Sequence, residues 1–81
     1  MKEIVDNLRE KIDNAKSYKE LIFVMNETYD IYDECEKQLE DGFNSGRISL
    51  NRFIIDRKRL VNSFLKITRY IRERSMIGFA D

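Results

Sequence analysis

Eighty-one residues suffice for one small domain, and a chain of this size buries only about 60% of the surface that its unfolded form would expose. An apolar share of 42%, no proline and three glycines leave few interruptions to long helices, so an all-α chain is expected. Fifteen basic and fifteen acidic side chains cancel at pH 7, which excludes a general electrostatic attraction to nucleic acid or to anionic membranes.

The cancellation hides a division. Residues 1–46 carry six basic and twelve acidic side chains, a net of −6, while residues 47–81 carry nine basic and three acidic, a net of +6. Such asymmetry serves either internal complementarity or two separate binding faces. Cys35 is the single cysteine, so no intrachain disulfide can form. No apolar run has the length of a signal peptide or a membrane span. A cytoplasmic protein without a membrane partner is expected.

The first predicted helix, about Lys2 to Lys16, places Ile4, Leu8, Ile12 and Ala15 on one face at spacings of four, four and three, with Val5 widening the stripe. Within it, Leu8-Arg9-Glu10-Lys11-Ile12-Asp13 resembles the opening of helical chorismate mutases. The residues that follow lack that family's pattern, so neither fold nor activity is carried over. Ser17 with Glu20 three residues on forms a capping box, in which each side chain satisfies a backbone N–H of the new helix. The second helix therefore starts at Tyr18 and extends to about Asp41. Along it, Leu21, Met25, Thr28, Tyr32, Cys35 and Leu39 follow a seven-residue repeat that keeps one seam against a neighbour. Ile22 and Tyr29 broaden the stripe on one side, Val24 and Ile31 on the other, and so wide a face usually meets two neighbours.

Asp41 to Gly46 is the clearest break, with Gly42 expected to take the left-handed conformation that ends a helix. Ser49 is the expected N-cap of a third helix over about residues 49–74. Leu50, Phe53, Leu60, Phe64, Ile67 and Ile71 form its inner face, flanked by Ile54, Val61 and Leu65. At about 100° per residue, Arg52, Arg59, Lys66 and Arg69 fall on the outward face beside Ile55 and Tyr70. Arg57 falls within the apolar face, where an unpaired charge is costly. It is expected either to pair with Glu36, Tyr29 or Tyr32, or to anchor an interface. The segment 75–81, with Met76, Ile77 and Phe79, is expected to fold back on the bundle or to dock on a partner.

Short connections make consecutive helices antiparallel neighbours, so the expected architecture is an up-down-up three-helix bundle in one domain. Its lengths do not match. The first helix spans roughly 20 Å and the other two roughly 36 Å each, which leaves the far end of the hairpin uncovered. Tyr32, Cys35, Leu39, Phe43, Ile48, Leu50, Phe53, Ile54 and Arg57 gather there, too apolar a group to stay open in a soluble monomer. The expected solution is a homodimer or a second protein.

No histidine, no glycine-rich phosphate loop and too small a core for an enclosed pocket argue against an enzyme. No cofactor, metal or small-molecule substrate is expected, and the acidic run on the second helix reads as a solvated face. Cys35 reads as a small hydrophobe whose acidic neighbours raise its pKa. The expected function is a non-enzymatic protein-interaction module: a dimeric adaptor, regulator or inhibitor. The alternative is a nucleic-acid accessory protein that uses Arg52, Arg59, Lys66 and Arg69 on phosphates.

Overall fold

A computed structural model describes residues 2–79, and among these the chain is wholly helical: α1 (Lys2–Asn14), α2 (Tyr18–Asn44) and α3 (Leu50–Ile77) pack against one another. None of these helices is long and apolar enough to cross a membrane.

The helix ends follow from local chemistry. Ser17 is extended, at φ −153° and ψ 163°, and its hydroxyl accepts the Glu20 N–H. The Glu20 carboxylate reaches back in turn, but it accepts the N–H of Lys16, one residue before the Ser17 N–H that a capping box would satisfy. An extended Ser17 forces the chain out of α1 early, so α1 stops at Asn14 instead of Lys16. Ser49 caps α3 in the same way, its hydroxyl accepting the Arg52 N–H at 3.1 Å.

The turn between α2 and α3 corrects the expectation for Gly42. This residue is helical and buried, and α2 continues to Asn44. Gly46 holds the left-handed position instead, at φ +79°. The Arg47 N–H reaches back to the Gly42 carbonyl at 2.9 Å and the Gly46 N–H to that of Phe43 at 3.1 Å, the paired bonds of a Schellman ending. Ile48 then folds over Gly42, with its side chain 3.6 Å from where a Cβ would sit.

At the other end, α3 runs three residues beyond Arg74, because nothing before Gly78 at φ +81° breaks it. Of the segment 75–81 expected to fold back or to dock on a partner, residues 75–77 continue α3, Phe79 folds back, and residues 80 and 81 lie outside the described residues. Phe79 meets the Tyr18 ring edge-on at 4.8 Å, while the Arg74 guanidinium lies 4.2 Å over the Phe79 ring. Met76 and Ile77 stay exposed.

The core occupies one half of the molecule. Leu8, Ile12 and Ala15 of the first segment interlock with Leu21, Val24, Leu60, Phe64, Ile67 and Ile71. Thr28 is buried among them and donates its hydroxyl to the Val24 carbonyl at 2.8 Å, so among the described residues no buried side-chain polar atom is stranded. Between Thr28 and Leu60 the only buried residue is Gly42. The helices thus form a rod of 52 × 17 × 16 Å in which the short α1 covers one end of a long hairpin.

Candidate interaction surface

Three contacts fix the side of the hairpin on which α1 lies. Lys11 pairs with Glu27 of α2, Asp13 accepts the Tyr70 hydroxyl of α3, and the Arg74 guanidinium donates to the Ala15 carbonyl at 3.1 Å. Tyr70 also lies beneath the Arg9 guanidinium, 5.0 Å from ring centroid to charge. The Asp13 carboxylate, as acceptor, holds the Tyr70 phenol above its usual pKa. Tyr70 therefore belongs to the α1 contact and not to the outward basic stripe in which its position on the helix had placed it.

The residues expected at the uncovered end are brought together, though none of them is buried. Tyr32, Cys35, Leu39, Ile48 and Phe53 are half-buried, while Phe43, Leu50, Ile54 and Arg57 are exposed. Phe43 and Phe53 stack at 5.1 Å, and Tyr32 meets Phe64 edge-on at 5.3 Å, where the core begins. Arg57 corrects the expectation of a charge inside the apolar face. Its side chain is 51% exposed, so it sits at the edge of that face, and it lies 3.8 Å from Glu36, the first of the partners expected for it. The Glu36 carboxylate also holds the Tyr32 phenol above its usual pKa, with burial adding to the effect.

The hairpin splits this group between its two sides. On the side that α1 occupies, the space beyond the end of α1 is an open groove of about 730 Å3. Cys35, Leu39, Gly42, Ile48 and Leu60 form its apolar bed, and Arg47, Asp56 and Arg59 stand at its rim. Burial in this bed, more than the neighbouring Glu34, pushes the Cys35 thiol above its usual pKa.

The opposite side has no covering helix along its whole length. Ile22, Met25, Tyr29, Thr68 and Arg72 line a smaller groove there of about 300 Å3. Seven-residue steps along a helix return to the same face. From Ile22 and Tyr29 they lead to Glu36 and Phe43, from Thr68 to Val61 and Ile54, and from Arg72 to Leu65. Ile22, Tyr29, Ile54 and Leu65 are each more than half exposed. This second face, continuous from Ile22 to Phe43, lies outside the expected patch except at the hairpin end. Its signal was present in the width of the α2 stripe, in which Ile22 and Tyr29 already exceed what one neighbour can cover.

The basic residues of α3 are exposed as expected, but they do not act as a set. Arg52 donates to Asp56 at 3.0 Å one turn away, and Arg59 stands at the rim of the α1-side groove. Lys66 and Arg69 are solvent-facing. Across the hairpin, Arg57 pairs with Glu36. Arg74 was not singled out in the sequence and has the richest set of contacts, bridging the exit of α1, the end of α3 and the Phe79 ring. Comparison of the chain with protein-family models, curated proteins and solved structures finds no match.

Proposed function

We propose that the chain is a non-enzymatic, cytoplasmic protein-interaction module: an up-down-up helical bundle that associates with itself and, as a dimer, serves as adaptor, regulator or inhibitor of another protein. The observation that supports this reading is the surface the chain leaves in water. The solvent-accessible area is 6247 Å2, against about 5,200 Å2 for a compact monomer of this mass. The excess of about 1,000 Å2 is comparable with what one partner buries in a standard interface. Large apolar side chains, Ile22, Tyr29, Ile54 and Leu65 among them, also face outward along the hairpin, a condition that marks interaction sites in soluble proteins. Sedimentation over a wide concentration range tests the reading. The expected species has twice the 9.8 kDa chain mass, and a stable monomer at every concentration that also captures no other protein refutes it.

A second reading has one observation in its favour. Arg59, Lys66 and Arg69 are exposed and take part in no ion pair among the described residues, so together with Arg52 they are available to phosphates. The pI of 6.3 weighs against it. Retention on immobilised DNA and RNA, measured against salt, decides: binding that is lost when Arg59, Lys66 and Arg69 are reversed favours nucleic acid, and no binding at low salt removes it.

A further inference from the structure

We infer that the hairpin face opposite α1 is the seam on which a second copy of this chain docks, two-fold related about an axis parallel to the helices, so that α2 lies on the partner's α3. The inference rests on the proposed self-association and adds where the copies meet and in what orientation.

Three observations carry it. The first is periodicity: Ile22, Tyr29, Glu36 and Phe43 recur every seven residues on α2, and Ile54, Val61 and Thr68 do so on α3. Such spacing keeps one line of side chains against a single helical neighbour over six turns. Among the described residues α1 is the only further helix, and it lies on the other side. The second is apolar exposure: Ile22, Tyr29, Ile54 and Leu65 on this face are each more than half exposed, as large apolar side chains of an interaction surface are. Closing the face would turn the two-layer hairpin into a four-helix core with each α1 outside, a common arrangement for helices of this length.

The third is charge, which selects among the orientations. On this side α2 presents Asp33, Glu36 and Glu40 with Lys37, and α3 presents Arg57, Lys58 and Arg72. A two-fold axis across the helices would lay α2 on α2 and set acidic edge on acidic edge. An axis along the helices lays each acidic edge on the partner's basic edge. Glu36 and Arg57 are level within the protomer, 3.8 Å apart, so this axis also sets Glu36 opposite the partner's Arg57. Four alternating charges then close around the axis, between the levels of Tyr29 and Phe43 of α2, the apolar seven-residue neighbours of Glu36 along the seam. A polar set at one level of such a seam fixes register and orientation, and self-complementarity is what a two-fold interface requires.

The test uses the full-length chain and sedimentation, with helical circular dichroism to show that each variant folds. Glu36 and Arg57 are partly exposed in the protomer, as is Leu65, so their substitution spares the core. Glu36→Arg and Arg57→Glu each raise the dimer dissociation constant by at least about tenfold. Mixing the two variants restores association, as does combining both changes in one chain. Leu65→Glu gives a monomer, whereas Arg59→Glu, at the α1-side groove, leaves the dimer intact. Alkylation of Cys35, which lines that same groove, proceeds at one rate in monomer and dimer.

A dimer that survives the changes at Glu36, Arg57 and Leu65, yet protects Cys35 or fails with Arg59→Glu, places the second copy in the α1-side groove. That result overturns this inference and leaves self-association standing. A doubly reversed chain that stays monomeric while the single variants complement each other overturns the axis. A wild-type chain that is monomeric throughout overturns both the inference and the reading beneath it.

Discussion

Replacing Arg74 by methionine tests how the covered end of the rod is held together. The arginine donates to two carbonyls, Gly78 at 2.7 Å and Ala15 at 3.1 Å, and its guanidinium lies over Phe79. These are the carbonyls just beyond α1 and α3, the sort that helix ends leave without partners. Methionine keeps the hydrocarbon stem and removes the donors. A hydrogen bond from a charged donor contributes about 1.5–3 kcal/mol when shielded and less where water can substitute. Arg74 is half-buried, so about 1 kcal/mol for each bond and a further 0.5–1 for the ring contact is the appropriate scale. The expected loss of about 2–3 kcal/mol is a large share of the roughly 4–12 kcal/mol typical of a domain this size. In a thermal scan it corresponds to a fall of roughly 10–20 °C. Arg74→Lys keeps the charge but not the planar fork that reaches two acceptors at once, so it recovers less than half. Urea denaturation of the three proteins, at one protein concentration so that association does not intervene, provides the check. A loss below about 0.5 kcal/mol for Arg74→Met would refute the reasoning, because bonds so easily replaced by water could not fasten the three segments.

The two turn glycines make opposite predictions: Gly42→Ala stabilises by about 0.5–1 kcal/mol, since Gly42 is helical and a new Cβ meets Ile48 at an ordinary 3.6 Å. Gly46→Ala destabilises by about 1 kcal/mol because of its φ of +79°, although open space surrounds it; urea midpoints measure both. Stability should also depend on alkaline pH through Tyr70, whose folded pKa lies above its ordinary value of 10.0. The Tyr70 contribution is complete below about pH 10 and is lost as pH rises through the folded pKa. Tyr70→Phe flattens that decline in denaturation curves collected across pH 9–12, and an unchanged slope counts against the Asp13 bond.

Much of the fold was legible because its signals are local. The Ser17 and Ser49 caps each depend on a hydroxyl and an N–H three residues away, and the heptad on α2 announces the seam that turns inward, buried at Leu21 and Thr28 and half-buried at Tyr32, Cys35 and Leu39. Gly42 was misread because the residues around it, Asp41 to Gly46, contain two glycines with the same credentials. Which one turns left is decided by the reach of Arg47 and Gly46 back to α2, and by Ile48 closing over the helix. Arg57 and Tyr70 were misplaced for a related reason. A helical wheel gives the direction of a Cα–Cβ bond, whereas a long side chain swings several ångströms toward whichever charge is near, Glu36 in one case and Asp13 in the other. The uncovered patch was predictable from helix lengths alone. Its division between two sides of the hairpin depends on where α1 lies, which contacts such as Arg74 with Ala15 determine.

The confinement of the core to one half of the rod also divides the molecule in time. Backbone amides near Leu8, Leu21, Phe64 and Ile67 sit in a three-helix core and should exchange with solvent only when the whole domain opens. Those from about Cys35 to Arg57 belong to two bare helices joined by a turn, and a segment with so few buried contacts opens on its own at lower cost. Hydrogen exchange at these amides is therefore a meter for association: fast in dilute protein, slowed as the hairpin is covered, and readable residue by residue without knowing in advance what covers it.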